Sequence, residues 1–257
     1  MPVKLVNREF GTGTPFLILH GLFGSSSNWG RIAKILSGSF QVFTLDLRNH
    51  GESPHESTMT YEAMAEDILA FMDEKGLEKA ILLGHSMGGK TAMVAALNHP
   101  SRIEQLIVVD IAPVSYHHDY QQLLNALNSV DFNQIKKRDE VDFHLQCQIP
   151  DIGLRHFLMK NLTRKGQQYF WQINLHSIEE AMPALMLFPE FPAERKYSGK
   201  TLFIGGANSD YILRQHYQQI FRFFPRNKIV MLKNAGHWVH AEQPQALLKT
   251  VQSFINT

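Results

Sequence analysis

Short apolar runs alternate along this chain with longer stretches in which apolar residues recur every three or four positions. Six runs are compact and mostly apolar: residues 16–19, 41–45, 80–83, 105–109, 201–204 and 228–232. They end at or just before turn-forming or polar residues: His20-Gly21, Asp46, Gly84, Asp110, Gly205-Gly206 and Ala235-Gly236. Without a period-two alternation, each reads as a parallel strand buried on both faces rather than as a half-exposed edge strand.

Three helical patterns stand between them. Residues 61–75 place Met64, Ile68, Phe71 and Met72 on one face, with Thr60 as N-cap and Gly76 as the stop. Residues 87–98 are rich in Ala and Met and end before Pro100. Residues 245–255 align Leu247, Leu248, Val251, Phe254 and Ile255, and Pro244 suits a first turn. Strands alternating with helices predict an α/β fold, a mostly parallel central sheet flanked by helices.

The alternation lapses over residues 113–198. No buried run stands out there, and the tone is helical, with Phe132, Phe143, Phe157, Phe170, Trp171, Met186 and Phe188. A structureless loop of that length would be improbable. The segment is therefore expected to be a mostly helical cap insertion over one edge of the sheet. Residues 1–112 and 199–257 would form the core.

Composition narrows the class. The 257 residues carry 25 Lys+Arg against 24 Asp+Glu, a net charge of +1, which argues against nucleic acid or an anionic membrane as partner. Cys147 is the only cysteine and cannot form an internal disulfide. The first eleven residues lack the apolar stretch of a signal peptide, and no run approaches the ~20 residues of a membrane span. A soluble cytoplasmic protein is the expectation, with its oligomeric state open. Of the 13 histidines, the pair His117-His118 lacks a metal-ligand spacing and reads as solvated. No metal or cofactor is called for.

The strongest chemical signal is Gly84-His85-Ser86-Met87-Gly88, which fits G-x-S-x-G. An apolar strand precedes it and a helix follows. A serine on such a sharp turn stands above the carboxyl edge of the sheet, and the flanking glycines let the backbone pass closely. The base should follow the serine in chain order and sit at the same edge. His237, in Asn234-Ala235-Gly236-His237-Trp238 after the 228–232 strand, does both. His240 is its competitor and reads as a packing residue. His20-Gly21-Leu22-Phe23 ends the first strand. The backbone N–H of Leu22, with that of Met87, is the expected oxyanion pair, and Phe23 is the alternative to Leu22. Asp46 and Arg48 read as an ion pair or loop anchor, and Lys90 as an anion-binding or salt-bridged residue.

These blocks together resemble the α/β-hydrolase superfamily over nearly the whole chain. The order of His20-Gly21, residues 46–54, Gly84–Gly89 and Gly236-His237 carries the resemblance. Residues 48–51, 85–90, 110–114 and 236–242 resemble the small bacterial YbfF-like esterases more closely still. The resemblance implies hydrolysis of carboxylic esters, with acyl-CoA thioesters as a further class, through a Ser-His-Asp triad and an acyl-enzyme. It implies no metal or organic cofactor. The superfamily also contains C–C hydrolases, perhydrolases, acyltransferases and non-catalytic binding proteins, which the serine alone does not separate.

Two aspartates compete as the acid. In Gly205-Gly206-Ala207-Asn208-Ser209-Asp210 the superfamily's common position falls on Ser209, and Asp210 is one residue late. Asp110 ends a buried run at the carboxyl edge of the sheet, and the YbfF-like resemblance places its acid there. Asp110 is the expected acid and Asp210 the alternative. Residues 113–198 hold the local clusters Lys136-Lys137-Arg138 and Arg164-Lys165, but nine Lys+Arg against ten Asp+Glu give no net basic cap for coenzyme A, and a neutral apolar ester is the safer substrate class.

Overall fold

The computed structural model describes residues 1–256. A seven-stranded sheet runs in the order β1 (Asn7–Phe10), β3 (Phe40–Leu45), β2 (Thr14–Leu19), β4 (Ala80–His85), β5 (Ile103–Val109), β8 (Lys200–Gly206) and β9 (Asn227–Leu232). Every neighbouring pair is parallel except β1 with β3.

Side chains of the central strands alternate between two cores, and both are apolar. Leu17, Leu82, Leu106, Val108 and Phe203 face the core beneath α2 (Tyr61–Glu74), α3 (Met87–Asn98) and α8 (Tyr217–Phe223). Phe16, Ile18, Ile81, Leu83, Ile107, Val109, Leu202 and Ile204 face the core beneath α1 (Gly30–Leu36) and α10 (Pro244–Ile255). Two buried faces explain the unbroken apolar runs in the sequence. β9 departs from that expectation: it is an edge strand, and its burial is partial, with Met231 exposed.

The helix termini follow the sequence. Thr60 Oγ1 accepts from the Ala63 N–H at 3.2 Å, capping α2, and Gly76 follows its end with φ +67°. A bidentate ion pair ties α2 to the loop after β3. Arg48 Nε and Nη2 donate to Asp67 Oδ2 and Oδ1 at 2.6 and 2.7 Å, with Arg48 2% and Asp67 0% exposed. Arg48 thus pairs with Asp67 and not with Asp46. Asp46 anchors its loop through the N–H groups of Ser26 (2.6 Å) and Glu52 (3.0 Å).

Residues 113–198 lie between β5 and β8. They hold α4 (Gln121–Asn128), α5 (Arg138–Leu145), α6 (Ile152–Leu158), α7 (Leu175–Met186) and an antiparallel hairpin of β6 (Leu162–Lys165) and β7 (Gln168–Trp171). The hairpin turns at Gly166, φ +62°. Its strands are four residues long and largely exposed, so no apolar run announces them. Among the described residues no helix is long and apolar enough to cross a membrane.

Candidate active site

Three loops at the carboxyl edge of the sheet converge. Ser86 directly follows β4 with φ +51° and ψ −118°, a region that costs a non-glycine residue about 1–3 kcal/mol. The surroundings hold it there. Its N–H donates to Val109 O at 3.0 Å, and α3 begins at the next residue. The flanking glycines are required by contact. A Cβ on Gly84 would lie 2.2 Å from Gly88 O, and one on Gly88 would lie 2.5 Å from His20 O. The strand, the helix and the 20–23 loop touch through bare backbone.

Asp110 directly follows β5, also at φ +51°, and is fully buried. Its N–H continues the ladder to Ile204 O at 2.8 Å. Its carboxylate is held on both oxygens: Oδ1 accepts from the Gly206 N–H at 2.8 Å, and Oδ2 from Ser209 Oγ at 2.5 Å. The same Oδ2 lies 2.8 Å from His237 Nδ1, and His237 Nε2 lies 3.0 Å from Ser86 Oγ. Asp210 is exposed and hydrogen-bonds to neither His237 nor Ser86. Ser209, at the superfamily's common acid position, is a donor to Asp110.

Glu242 shapes the loop that carries His237. Its carboxylate accepts from the N–H groups of Gly236 (2.7 Å) and Trp238 (3.1 Å), on either side of the histidine. Tyr211 stacks on the imidazole at 4.0 Å between centroids and 21° between planes. The tyrosine is itself fixed, since its carbonyl accepts from Tyr116 Oη at 2.6 Å. His85 Nε2 bonds to His237 O at 2.8 Å. Burial, and then the neighbouring His237 and His240, keep His85 well below the usual histidine range. His240 packs flat on Trp29 at 4.5 Å, and burial lowers it to about 3. It is a neutral packing residue.

The 20–23 loop is locked by two neutral histidines. His50 Nε2 accepts from the Phe23 N–H at 3.1 Å, so its Nδ1 donates to Arg48 O at 3.0 Å. His20 Nε2 accepts from the Leu47 N–H at 3.0 Å, so its Nδ1 donates to Gly21 O at 2.8 Å. The Phe23 N–H is therefore committed to His50. The N–H groups of Leu22 and Met87 have no acceptor among the described residues. A Cβ on Gly21 would stand 3.2 Å from Ser86 Cβ, which puts the loop against the serine. The roles of His50, Ser209, Tyr211 and Glu242 are absent from the sequence reading.

Lys90, four residues beyond the serine, is buried with no carboxylate partner. Its Nζ donates instead to Leu187 O (2.7 Å), Met186 O (3.0 Å) and Leu185 O (3.3 Å) at the end of α7, and stands over the rings of Tyr116 and Tyr61. Of its two readings, anion-binding or salt-bridged, the salt bridge is not formed. Burial brings the amine down to about 7. Among the described residues no group of three His, Cys, Asp or Glu is placed to hold a metal ion.

Comparison with known proteins extends the picture. Residues 14–244 match the family model described as the alpha/beta hydrolase fold. The sn-1-specific diacylglycerol lipase ABHD11 of Danio rerio is 38% identical over 265 residues, spanning 99% of this chain and 83% of its own. Esterase YbfF of Escherichia coli strain K12 is 33% identical over 244 residues, spanning 95% of this chain and 93% of its own. A solved structure described as a marine microorganism esterase superposes with a TM-score of 0.95 at 40% identity, covering 98% of this chain and 99% of that one.

Proposed function

The chain belongs to the α/β-hydrolase family, close to the YbfF-like esterases, and on that premise we propose that it is a serine esterase whose triad is Ser86, His237 and Asp110. One observation carries the reading. An unbroken hydrogen-bonded line runs from Asp110 Oδ2 through His237 to Ser86 Oγ, with links of 2.8 and 3.0 Å.

Each part has a physical role. Asp110 accepts only, so it fixes His237 as the tautomer with a proton on Nδ1 and a free lone pair on Nε2. That lone pair takes the Ser86 proton as Oγ attacks the ester carbonyl. The resulting oxyanion is bound by the free N–H groups of Leu22 and Met87, and the N-terminal end of α3 adds its dipole. His237 returns the proton to the leaving alcohol. Water then attacks the acyl-enzyme by the same route, releasing the acid and restoring Ser86.

Residues 113–198 act as the cap. Tyr120, Leu123, Leu154 and Phe157 from that segment join Phe23 and Trp238 around a mainly apolar cavity of ≈ 250 Å³ that opens on Ser86 and His237. Such walls suit a neutral, apolar oxygen ester better than an anionic thioester.

The direct test is labelling with a fluorophosphonate probe. Ser86 should be modified in the native protein. Ser86→Ala should abolish labelling and lower kcat on p-nitrophenyl acetate by about 10⁴–10⁶-fold with the fold intact. Undiminished hydrolysis in that variant would refute the mechanism.

A further inference from the structure

Ser86 stands between two cavities of very different size. The one already described, of ≈ 250 Å³, includes His237 and Trp238 in its wall. The other, of ≈ 30 Å³, lies toward Met87 and is lined by Tyr61, Lys90, Tyr116, Leu185 and Met186, together with the exposed His118. Leu22, Ser86, Tyr120 and Tyr211 border both.

Resting on the esterase reading above, we propose that the small cavity receives the acyl chain and the large one the alcohol. The chain is then selective for esters of short acids, acetyl to butanoyl, with bulky apolar alcohols. The reaction sets this orientation. The imidazole must reach first the Ser86 proton and then the leaving oxygen, so the leaving group lies on the side of His237. The oxyanion points to Leu22 and Met87. The remaining substituent on the tetrahedral carbon is the acyl chain, directed away from His237 and into the space behind Met87. By the ~10–15 Å³ that a water-sized group needs, that space admits about two or three non-hydrogen atoms, whereas the other admits about ten or more.

The small cavity is also braced. Tyr61 Oη donates to Leu185 O at 2.6 Å, and Tyr116 Oη donates to Tyr211 O at 2.6 Å while accepting from the Ala112 N–H at 2.9 Å. Lys90 Nζ holds the carbonyls of residues 185–187. Moving Tyr61, Tyr116 or Lys90 aside for a longer acyl chain would break their hydrogen bonds, which leaves the unbonded Met186 side chain as the wall that can yield. Four walls of the large cavity have no such side-chain bonds: Leu123, Leu154, Phe157 and Trp238 meet it with apolar surface.

Two ester series test the assignment, with fluorophosphonate labelling of Ser86 run alongside. Along p-nitrophenyl acetate, butanoate and octanoate, kcat/KM should fall at least tenfold. From ethyl acetate to octyl acetate it should rise at least tenfold. Met186→Ala opens the small cavity and should raise the octanoate-to-acetate ratio at least tenfold. Leu154→Trp fills the large one and should lower the octyl-to-ethyl acetate ratio at least tenfold. A labelled enzyme that prefers octanoate to acetate, or that turns over none of these esters, overturns the inference and leaves the triad standing. Ratios unmoved by both variants overturn it equally. Neither labelling nor hydrolysis would overturn the esterase reading and this inference with it.

Discussion

Replacing Asp110 with Asn removes one charge and almost no volume, and the hydrogen bonds around the side chain set the consequence. Each carboxylate oxygen has a committed partner. Oδ1 faces the Gly206 N–H at 2.8 Å, a backbone group that can only donate. The amide oxygen of an asparagine must therefore take that side, which turns its NH₂ toward the position of Oδ2. There it meets Ser209 Oγ and His237 Nδ1. The serine hydroxyl can rotate to accept. The imidazole can accept on Nδ1 only by moving its proton to Nε2, where it faces Ser86 Oγ at 3.0 Å. In that tautomer His237 has no lone pair for the Ser86 proton. A wrong tautomer in such a triad costs kcat about 10⁴-fold, or ~5.5 kcal/mol of barrier. The Asp210→Asn variant is the control: that residue is exposed and unbonded to the triad, so kcat/KM should stay within about twofold. Steady-state hydrolysis of p-nitrophenyl acetate at pH 7–8 separates the two, with circular dichroism to show that both variants are folded. A loss under tenfold for Asp110→Asn, or an equal loss for Asp210→Asn, would refute the tautomer mechanism.

Two further expectations concern stability. His50 and His240 are both held at about 3 by burial, so the unfolded chain takes up protons below the ordinary histidine value of ~6.5 that the fold refuses. Their contribution is complete above pH ~6.5 and falls as the pH drops, by about 2 kcal/mol for each by pH 5. Urea unfolding at pH 7 and pH 5 should show the loss, and His240→Phe, which keeps the stack on Trp29, should shrink it by about 2 kcal/mol; an unchanged slope would count against a neutral buried His240. Removing the partner of the buried Arg48 by Asp67→Ala leaves the guanidinium only backbone carbonyls such as Thr58 O, with no counter-charge, and strands the Val3 N–H that donates to Asp67 Oδ1 at 2.7 Å. That variant should lose about 3–5 kcal/mol by chemical denaturation, and a loss below ~1 kcal/mol would mean that the pair is solvated in solution.

What could be read from the chain and what could not divide along a physical line. Five of the six parallel strands were legible because both faces of each meet an apolar core, which leaves an unbroken run; β9 carries such a run although it lies at the edge. That Ser86, Asp110 and His237 meet was legible because each follows the carboxyl end of such a strand, separated by a short loop for His237, so order along the chain maps onto one edge of the sheet. β1 escaped notice because Asn7-Arg8-Glu9-Phe10 holds its place through backbone pairing with β3, and its side chains carry no core pattern. The partners of Lys90 were hidden for a related reason. A lysine buried one turn beyond Ser86 needs acceptors, and the sequence invites a search for an acid. Yet the end of α7 presents carbonyls left free by the helix and the negative end of its dipole, and three carbonyls of that turn satisfy the amine without any carboxylate. A backbone carbonyl is common to every residue type and leaves no trace in composition or spacing. The same holds for the N–H groups of Phe23, Leu22 and Gly206, on which the loop, the proposed oxyanion site and the orientation of Asp110 depend. Sequence can therefore identify which buried polar side chains require partners, but where those partners are main-chain atoms, only the fold that brings distant segments within 3 Å can supply their names.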